Sequence, residues 1–417
     1  MAEEDIKNKY DVAIIGAGPA GMMAAGQAAS FGQRVVLIDK NSNPGKKLLL
    51  TGNGRCNLTN AEFNLKNLTL NYNNGEFLFH AFSVFGPKET IDFFEKLGVK
   101  TKAEAGNRVF PAKGGSEKVL ETLEKYLAKN NVEMLFSSEI IDIERKGKNI
   151  AKIILHGREI IANKYILCTG GKAYPLTGSA GSGYEIAKKL GHTIVAPLPA
   201  LSPIKLKEEW TKNLQAITLK DAKINVFQNN KKISSEEGDI MFTHFGISGP
   251  AVLNISSKVI GLLKTGDTKI LIDIFPLLNQ EQLLKGLEDE FKKYARQTIK
   301  NVLSSFVPER LAEVLLDVIK INKNKMANSI SKIEKSALVK ILKNIEATPA
   351  DVLDFDNAMV TRGGVSLKEI DHKTMKSKII DNLFFAGEII DVDGKTGGFN
   401  LQMCWSTGYL AGQNSIN

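Results

Sequence analysis

Three glycines and one acid near the amino terminus have the types and spacing of residues that bind a dinucleotide. The segment GAGPAG places Gly16, Gly18 and Gly21 in G-x-G-x-x-G register. In such a motif the first glycine permits a tight turn, the second lets the backbone approach a pyrophosphate, and the third lets helix and strand pack closely. Asp39 follows Gly21 by 18 positions, near the spacing of about 20 at which an acid binds the adenosine ribose. The pattern predicts a nucleotide site in which a helix N-terminus faces the phosphates.

The residues around these glycines supply the elements that the site requires. Residues 10–15 (YDVAII) and 34–38 (RVVLI) are typical of buried parallel strands, and the Ala-rich stretch between them is typical of a helix. Together they make a βαβ unit of about 30 residues, the usual length. Residues 12–33 contain no charged residue and could span a membrane by length, but the glycines and Pro19 interrupt them. We therefore expect strand, turn and helix, and no membrane association.

The carboxyl-terminal part of the chain favours FAD over NAD. There is no second complete fingerprint, because GSAGSG at 178–183 has the wrong register, so a separate NAD(P) domain is not expected. FFAGEIIDVDG predicts a strand followed by Glu388, which could bond the ribityl chain of a flavin. TGGFNLQ at 396–402 then opens a helix, whose N–H groups could stabilise negative charge on a reduced flavin. We expect noncovalent FAD, with NAD(P)H as a candidate transient electron donor.

Length, charge and cysteine content limit the remaining classes. A chain of 417 residues is too long for one ordinary core, so we expect two or three structural units. The net charge of +9 could favour anionic ligands, nucleic acid or acidic membranes, although a solvated Lys-rich surface explains it more simply. Three separated cysteines form no C-x-x-C or zinc pattern. Their spacing predicts no metal site. The charged start lacks the apolar core of a signal peptide, so we expect a cytoplasmic protein.

Changes in sequence texture mark the predicted boundaries. Residues 41–60 form a long, polar, Gly-rich loop, and such a loop inside a compact domain is usually functional or disordered. From Thr193 onward, prolines and short alternating runs indicate a β-rich region, and helical spacing dominates from Asn279 to Asn344. Strand and turn signals return at Ala358.

Five separated motifs resemble those of one known family. PGKKLLLTGNGRCNLTN, FTHFGISGPAVL, VTRGGVSLKEID, TMKSK and NLFFAGEIIDVDGKTGGFNLQ closely resemble the BaiN/YhiN-type NAD(P)/FAD-dependent oxidoreductases, also labelled aminoacetone oxidase-like flavoproteins. The resemblance implies an α/β fold with a Rossmann-like FAD-binding domain built from both chain ends, at 1–192 and 358–417. It also implies an inserted β-rich unit at 193–276 and an inserted helical unit at 277–357.

The resemblance further implies flavin contacts from the long loop. The matching positions are Lys46 or Lys47, Gly52, Gly54, Arg55, Cys56 and Asn57, and the backbone of Val132 would touch the adenine side. Asp39 stands where the family commonly has Glu, and Asn53 stands where it more usually has Gly; Asn tolerates a positive φ. The complete set of candidate cofactor-binding residues is Gly16, Ala17, Gly18, Pro19, Ala20, Gly21, Asp39, Lys40, Lys46, Lys47, Gly52, Gly54, Arg55, Cys56, Asn57, Val132, Gly170, Gly387, Glu388, Gly398, Asn400 and Leu401.

Other residues that can do chemistry carry weaker signals. A flavin–thiol relay usually needs paired cysteines, so structural roles are expected for Cys56, Cys168 and Cys404. Structural roles are also favoured over flavin or substrate contacts for His244, Tyr174 and Arg362. No catalytic acid or base is identifiable from the sequence.

Three functional hypotheses remain open. The first is an NAD(P)H-driven reductase of an activated C=C or C=O bond in a small molecule, since the family resemblance includes steroid-type enones. The second is an oxidase of a small amine such as aminoacetone. The third is an RNA-associated flavoprotein, because residues 320–343 contain seven Lys and one Glu. Those lysines lack interleaved aromatics, so we expect a solvated helical face, a small-molecule substrate and no nucleic-acid partner. The oligomeric state stays open.

Overall fold

The computed structural model describes residues 9–416, which divide into two units. One unit combines the described residues up to Pro199 with those from Ala358 onward, and the other spans Ala200–Asn357. The predicted α/β class, with a Rossmann-type domain drawn from both chain ends, is confirmed. The predicted border between a β-rich and a helical insert, at residue 276, lies inside the second unit. The strands and helices on both sides of it share one apolar core.

The amino-terminal part of the first unit starts with the βαβ unit. Its elements are β1 (Lys9–Ile15), α1 (Pro19–Ser30), β2 (Val35–Ile38), α2 (Lys46–Leu50), β3 (Thr59–Asn60), α3 (Leu65–Thr69), β4 (Tyr72–Asn73), α4 (Phe79–Val84), α5 (Pro87–Lys96), β5 (Thr101–Glu104), β6 (Arg108–Pro111), α6 (Gly115–Lys129), β7 (Glu133–Leu135), β8 (Ile140–Lys146), β9 (Asn149–Leu155), β10 (Arg158–Leu167), α7 (Ser182–Lys189) and β11 (Ile194–Ala200).

The second unit follows, and the chain then returns to the first. The second unit contains β12 (Ile204–Leu206), β13 (Thr218–Gln228), β14 (Lys231–Thr243), β15 (Gly246–Ser248), α8 (Pro250–Leu262), β16 (Thr268–Asp273), α9 (Gln280–Lys293), α10 (Ile299–Leu303), α11 (Glu309–Val318), α12 (Lys332–Lys343), β17 (Ile345–Ala347) and β18 (Pro349–Val352). The returning segment contributes β19 (Val360–Val365), β20 (Leu383–Phe385), β21 (Asp393–Gly394) and α13 (Phe399–Asn414).

A parallel sheet with strand order β7–β2–β1–β10–β20 is the framework of the first unit. Ile15 at the end of β1 pairs with Ile38 of β2 and with Leu167 of β10. The early residues of β10 pair instead with the antiparallel strand β9, so β10 joins the two parts of the sheet. Because the parallel strands end at one level, the loops that follow them meet at the same edge of the sheet.

Helix α13 packs along α1, and small residues allow the two backbones to come close. A Cβ atom at Gly408 would lie 2.4 Å from the carbonyl oxygen of Ala20, and one at Gly412 would lie 2.5 Å from that of Ala24. Both helices are almost entirely buried. This contact brings the carboxyl-terminal motif beside the amino-terminal fingerprint, although the two are far apart in the sequence.

The second unit is built on a seven-stranded sheet of order β17–β16–β13–β14–β15–β12–β18. Its helices α9, α11 and α12 have apolar residues at three- and four-residue spacing, as the sequence indicated. Leu287, Leu315 and Leu342 from these helices are fully buried in the same core as Ile224 and Ile270 of the sheet. The helical segment therefore packs on the sheet and has no core of its own.

Helices α4 and α5 are separated at Gly86. The side chain of Glu89 accepts a hydrogen bond from the Gly86 N–H at 3.0 Å. Pro87 follows and opens α5 at the first-turn position that proline tolerates. No candidate for a membrane span is found among the helices of residues 9–416.

The contact between α1 and α13 gives a stability test. Gly408→Ala places a Cβ atom against the Ala20 carbonyl, so the free energy of unfolding should fall by about 1–3 kcal/mol through overpacking. Gly261→Ala in α8 is the matched control, because nothing lies within 4 Å of its added Cβ; it should be neutral or mildly stabilising. Chemical denaturation of both variants measures this, and equal effects would contradict the packing account.

Candidate functional site

A cleft opens where β1, β2 and β10 end. Its wall includes Ile15 and Ile38, the last residues of two parallel strands, and Cys168, which follows the third. Ligands of open parallel sheets bind outside the carboxyl ends of the strands. All the residues that line the cleft belong to the first unit.

The fingerprint forms the end of the cleft expected to hold phosphates. Gly16 has a φ of 104°, a conformation that side chains disfavour, and a Cβ there would lie 2.5 Å from the Cys168 carbonyl oxygen. A Cβ on Gly21 would lie 1.8 Å from the Gly16 carbonyl oxygen. Gly18 caps α1 without any side-chain hydrogen bond. The first turn of α1 therefore offers N–H groups and a positive dipole end to an anion.

Asp39 holds this turn in shape from the end of β2. Its Oδ2 accepts a hydrogen bond from the Ala17 N–H, and its Oδ1 accepts one from the Asn41 N–H, both at 2.7 Å. Since a carboxylate has about four lone-pair sites, both oxygens can still accept a bond from a ribose hydroxyl. Asp39 is thus both a structural brace of the turn and a candidate ribose ligand.

Glu388 lines the cleft in the turn that follows β20. Lys47 Nζ contacts its two carboxylate oxygens at 2.8 and 3.1 Å, and the Thr361 N–H donates to its Oε1 at 2.8 Å. The two charged side chains are 23% and 12% exposed. The pair joins the long amino-terminal loop to the carboxyl-terminal motif, and both residues line the cleft.

Two buried hydroxyls indicate that the cleft accommodates a polar ligand. Thr169 Oγ1 and Ser179 Oγ line the cleft region, and within residues 9–416 neither has a hydrogen-bond partner. An unpaired buried hydroxyl costs about 1–3 kcal/mol, and a ligand rich in phosphate and sugar oxygens would remove that cost. The residues present therefore fit the predicted dinucleotide cofactor.

The structure brings twelve of the predicted cofactor residues to the cleft and leaves ten outside its lining. Those in the lining are Gly16, Ala17, Gly18, Pro19, Ala20, Asp39, Lys40, Lys46, Lys47, Gly170, Gly387 and Glu388. Those outside it are Gly21, Gly52, Gly54, Arg55, Cys56, Asn57, Val132, Gly398, Asn400 and Leu401.

The 52–57 part of the long loop braces other segments, where the family resemblance implied flavin contacts. Arg55 forms an ion pair with Glu104 at 2.6 Å and lies 4.2 Å from the centre of the Phe110 ring. Cys56 is fully buried, and burial raises the pKa of its thiol to about 12. The Asn57 amide donates to the Thr59 carbonyl and accepts from the Gly398 N–H at the start of α13.

Other residues of the predicted set also have partners within the protein, and their flavin contacts stay a prediction. The Val132 N–H donates to the Leu127 carbonyl at the end of α6. Val132 comes just before β7, whereas the cleft lies beyond the carboxyl end of that strand. The Asn400 side chain bonds both the N–H and the carbonyl of Gly394, and Leu401 is a core residue. Asn53 has a φ of 54°, so the loop keeps the conformation expected of a glycine.

The sequence reading missed part of the lining. The residues it missed end β1 and β2, follow β2, β7 or β10, or occupy α7 and α13: they are Ile15, Ile38, Asn41, Gly45, Ser138, Glu139, Ile140, Thr169, Thr177, Gly178, Ser179, Ser182 and Ile186, together with Cys168 and Cys404, for which structural roles were expected. Ser138 to Ile140 follow β7, which adjoins β2 in the parallel sheet, and no signal for that strand order is present in the sequence. Burial raises the pKa of the Cys404 thiol to about 12, so this cysteine is not a ready nucleophile.

A buried acidic group lies near Glu388. Asp393 is 8% exposed, and its Oδ1 has no hydrogen-bond partner among the described residues. Burial raises the pKa of Asp393 to about 6; Asp391 and Glu388 act in the same direction, and Arg362 and Asn73 oppose them. Arg362 also donates to Asn73 Oδ1 at 3.2 Å. Tyr174 and His244 do not line the cleft.

The comparisons with known proteins agree with this architecture. Residues 10–414 match the family model described as HI0933-like protein Rossmann domain. Over 405 residues the chain is 34% identical to a 3-dehydro-bile acid delta(4,6)-reductase of Clostridium scindens, which covers 96% of this chain and 98% of the relative. Over 408 residues it is 29% identical to a ribosomal RNA dihydrouridine synthase of Escherichia coli, which covers 98% of each chain.

Solved structures resemble the fold at low sequence identity. A 3-ketosteroid-delta4-(5alpha)-dehydrogenase from Rhodococcus jostii RHA1 has a TM-score of 0.53 at 15% identity, over 98% of this chain and 97% of that chain. A flavocytochrome c3 fumarate reductase has a TM-score of 0.53 at 17% identity, over 98% of this chain and 78% of that chain. At this identity the likeness concerns the fold alone.

The unpaired Thr169 hydroxyl predicts opposite effects on stability and on cofactor affinity. Thr169→Val removes an unsatisfied buried group, so the apoprotein should be as stable as the wild type or more stable. FAD affinity should fall by about threefold to tenfold, the value of one hydrogen bond. Thr361→Val is the control, because Thr361 Oγ1 accepts from the Lys172 and Ala173 N–H groups and its loss should destabilise the apoprotein. Flavin titration and thermal unfolding measure both effects; unchanged FAD affinity in Thr169→Val would count against the assignment.

The pKa of Asp393 predicts a pH-dependent stability difference. The folded-state pKa of about 6 exceeds the ordinary aspartate pKa of 3.8, so the stability contributed by the neutral carboxyl is complete below pH 3.8 and is lost as the pH rises through 6. Asp393→Asn stays neutral and should gain up to about 3 kcal/mol over the wild type by pH 7. Denaturation of the apoprotein from pH 4 to 7.5 tests this, and a stability difference that does not change with pH would contradict it.

Proposed function

The chain belongs to the HI0933-like family of Rossmann-domain proteins and is a flavin-dependent oxidoreductase, and from that premise we propose that it reduces a C=C bond conjugated with a carbonyl group. The proposed substrate class is an enone-like small molecule. The observation that carries the proposal is the chemistry shared by the names of two relatives that each span at least 96% of this chain.

The two names describe different molecules with one kind of reacting bond. A delta(4,6)-reductase of a 3-dehydro bile acid acts on C=C bonds conjugated with a ring ketone. A dihydrouridine synthase saturates the C=C bond of a uracil ring, which is conjugated with a ring carbonyl. Each reaction adds a hydride to one carbon and a proton to the other. A shared reacting bond across relatives this different supports conjugated C=C reduction over C=O reduction for this chain.

The residues of the cleft are suited to hold the cofactor for such a reaction. The bound flavin would supply the hydride, and the protein binds and orients it. The first turn of α1 and Asp39 would hold the adenosine diphosphate half. Glu388, paired with Lys47, would hold the sugar-alcohol chain near the start of α13. The α13 N-terminus would favour negative charge on the reduced ring.

The electron donor is part of the proposal. Residues 1–417 contain one complete dinucleotide fingerprint, and it lies in the cleft assigned to the flavin. NAD(P)H would therefore bind transiently, reduce the flavin and leave before the enone enters. An amine oxidase would instead reduce its flavin with the amine and reoxidise it with oxygen.

Anaerobic stopped-flow spectroscopy of the FAD-loaded protein separates these alternatives. NADH or NADPH should bleach the flavin absorbance near 450 nm within seconds, and a steroid-type enone should restore it faster than oxygen does. Aminoacetone in place of NAD(P)H is the control donor. Bleaching by aminoacetone alone, with reoxidation by oxygen only, would reject the reductase and support the amine oxidase.

A second candidate substrate is RNA, in which a uracil ring supplies the conjugated C=C bond. It is favoured by the distribution of charge, because the basic residues in excess are concentrated in one segment of the second unit. An RNA stem–loop with a single uracil in its loop can replace the enone in the same reoxidation experiment. Reoxidation by the RNA together with formation of dihydrouridine would establish this branch.

A further inference from the structure

Nearly the whole net positive charge of the chain lies in one stretch of 52 residues, 292–343. This stretch contains twelve Lys or Arg and four Asp or Glu, which gives +8 of the total +9. The remainder of the chain, with 43 basic and 42 acidic residues, is almost neutral. A solvated surface needs no such concentration, since net charge dispersed over the whole chain would serve solubility equally well.

The fold brings several of these cations to one place. The Ala327 N–H donates to the Gln297 carbonyl at 2.9 Å, and the Ile299 N–H donates to the Lys325 carbonyl at 2.8 Å. These bonds fix the loop that follows α11 beside the end of α9 and the start of α10. An ion pair between Lys325 and Glu334 at 2.7 Å holds the first turn of α12 against that loop.

Helices α9 and α12 run antiparallel. Lys343 at the end of α12 bonds the carbonyl of Phe275, which precedes α9, and Lys335 near the start of α12 pairs with Glu288 near the end of α9. The first turn of α12 therefore lies alongside the last turn of α9. Four cations meet at this junction, which we term the basic corner: Lys292, Arg296, Lys323 and Lys332.

The four cations of the basic corner form no close ion pair among the described residues. Within residues 9–416, none of its four cations has an ion pair or a side-chain hydrogen bond to an acid. Lys292, Arg296 and Lys332 are exposed, and Lys323 is half-buried. By contrast, Lys300 near the corner is paired with Glu309 and Glu313, and Lys343 is paired with Asp273.

This arrangement opposes folding. Like charges within one junction repel one another, and Lys332 occupies the first turn of α12, where the helix dipole disfavours a cation by about 0.3–1 kcal/mol. Glu288 near Lys292 and Lys332, and Glu313 near Lys323, offset only part of these costs, because each already pairs with another lysine. An anionic partner that spans several charges would offset them.

We propose that the basic corner docks the phosphate backbone of an RNA substrate. The proposal rests on the RNA branch of the proposed function. A polyanion matches cations that are spread over the end of one helix, a loop and the start of another helix. An acidic membrane would instead require an apolar helix face beside the charges, and the exposed large apolar side chains at the corner are Ile333 and Met326 alone. Phosphate contacts position an RNA without reading its sequence.

Two charge-matched variants of the full-length, FAD-loaded protein test the docking surface. The corner variant carries Lys292→Gln, Arg296→Gln, Lys323→Gln and Lys332→Gln. The control variant carries Lys205→Gln, Lys207→Gln, Lys231→Gln and Lys232→Gln, which removes the same charge from exposed positions of the same unit. The probe is a fluorescein-labelled RNA stem–loop of about 30 nucleotides, followed by anisotropy between 50 and 200 mM KCl.

The corner variant should bind the RNA at least about tenfold more weakly than the wild type at 100 mM KCl, and its salt slope should fall by about one for each lost phosphate contact. The control variant should change by less than about threefold. Equal losses in both variants, or wild-type protein without salt-sensitive RNA binding, would overturn the docking surface. The proposal would also be overturned, in favour of a membrane, if the wild type bound phosphatidylglycerol vesicles more tightly than RNA and the corner variant lost that vesicle binding.

Enone reduction by the same variants keeps the two proposals apart. The substitutions lie in the second unit, outside the residues that line the cleft, so reduction of a small enone by NAD(P)H should be unchanged in both. If the corner variant binds RNA as tightly as the wild type while enone reduction is intact, only the docking surface is rejected. Absence of any reduction, with corner-dependent RNA binding retained, rejects only the proposed reaction.

Discussion

The close approach of the β1–α1 turn to the chain after β10 is the constraint on which the site depends. Gly16 and Gly21 have no side chains, so the turn can press against the Cys168 carbonyl and against itself at distances that any Cβ would prevent. Asp39 then fixes the turn through the Ala17 N–H. With the turn held there, the first turn of α1 is aimed into the cleft, and the phosphate-binding end follows from local geometry.

The second half of the site depends on a contact between distant parts of the chain. Gly408 and Gly412 let α13 lie against α1, and this places the turn that contains Glu388 beside the fingerprint. The Lys47–Glu388 pair then connects the long loop to the carboxyl-terminal motif. Because the pair is largely withdrawn from solvent and also receives the Thr361 N–H, it fixes that side of the cleft more firmly than a surface ion pair would.

The sequence predicted those parts of the site that local spacing determines. The fingerprint, Asp39 and the turn around Glu388 follow from strand ends and glycine positions a few residues away, and they line the cleft. The roles of Arg55 and Val132 could not be read in this way, because they depend on partners such as Glu104 and Leu127 that the fold brings to them. The lining residues after β7 were missed for the same reason, since strand order in a sheet is not encoded by spacing.

In the second unit, too, the sequence predicted the individual elements but not how they pack together. Alternating and helical patterns identified its strands and helices, but a shared core requires knowledge of which faces meet. Charge, in contrast, is local, and its concentration in residues 292–343 is visible in the sequence. Its arrangement at one junction becomes visible only when backbone hydrogen bonds and ion pairs bring the four segments together.

The central claim is a cleft that binds both halves of one dinucleotide, and a competition experiment on the apoprotein tests it most directly. FAD should bind noncovalently with one molecule per chain, ADP should compete with it, and FMN should bind at least about a hundredfold more weakly, because it lacks the half held by the fingerprint and Asp39. FMN binding as tight as that of FAD, with no competition by ADP, would contradict the account.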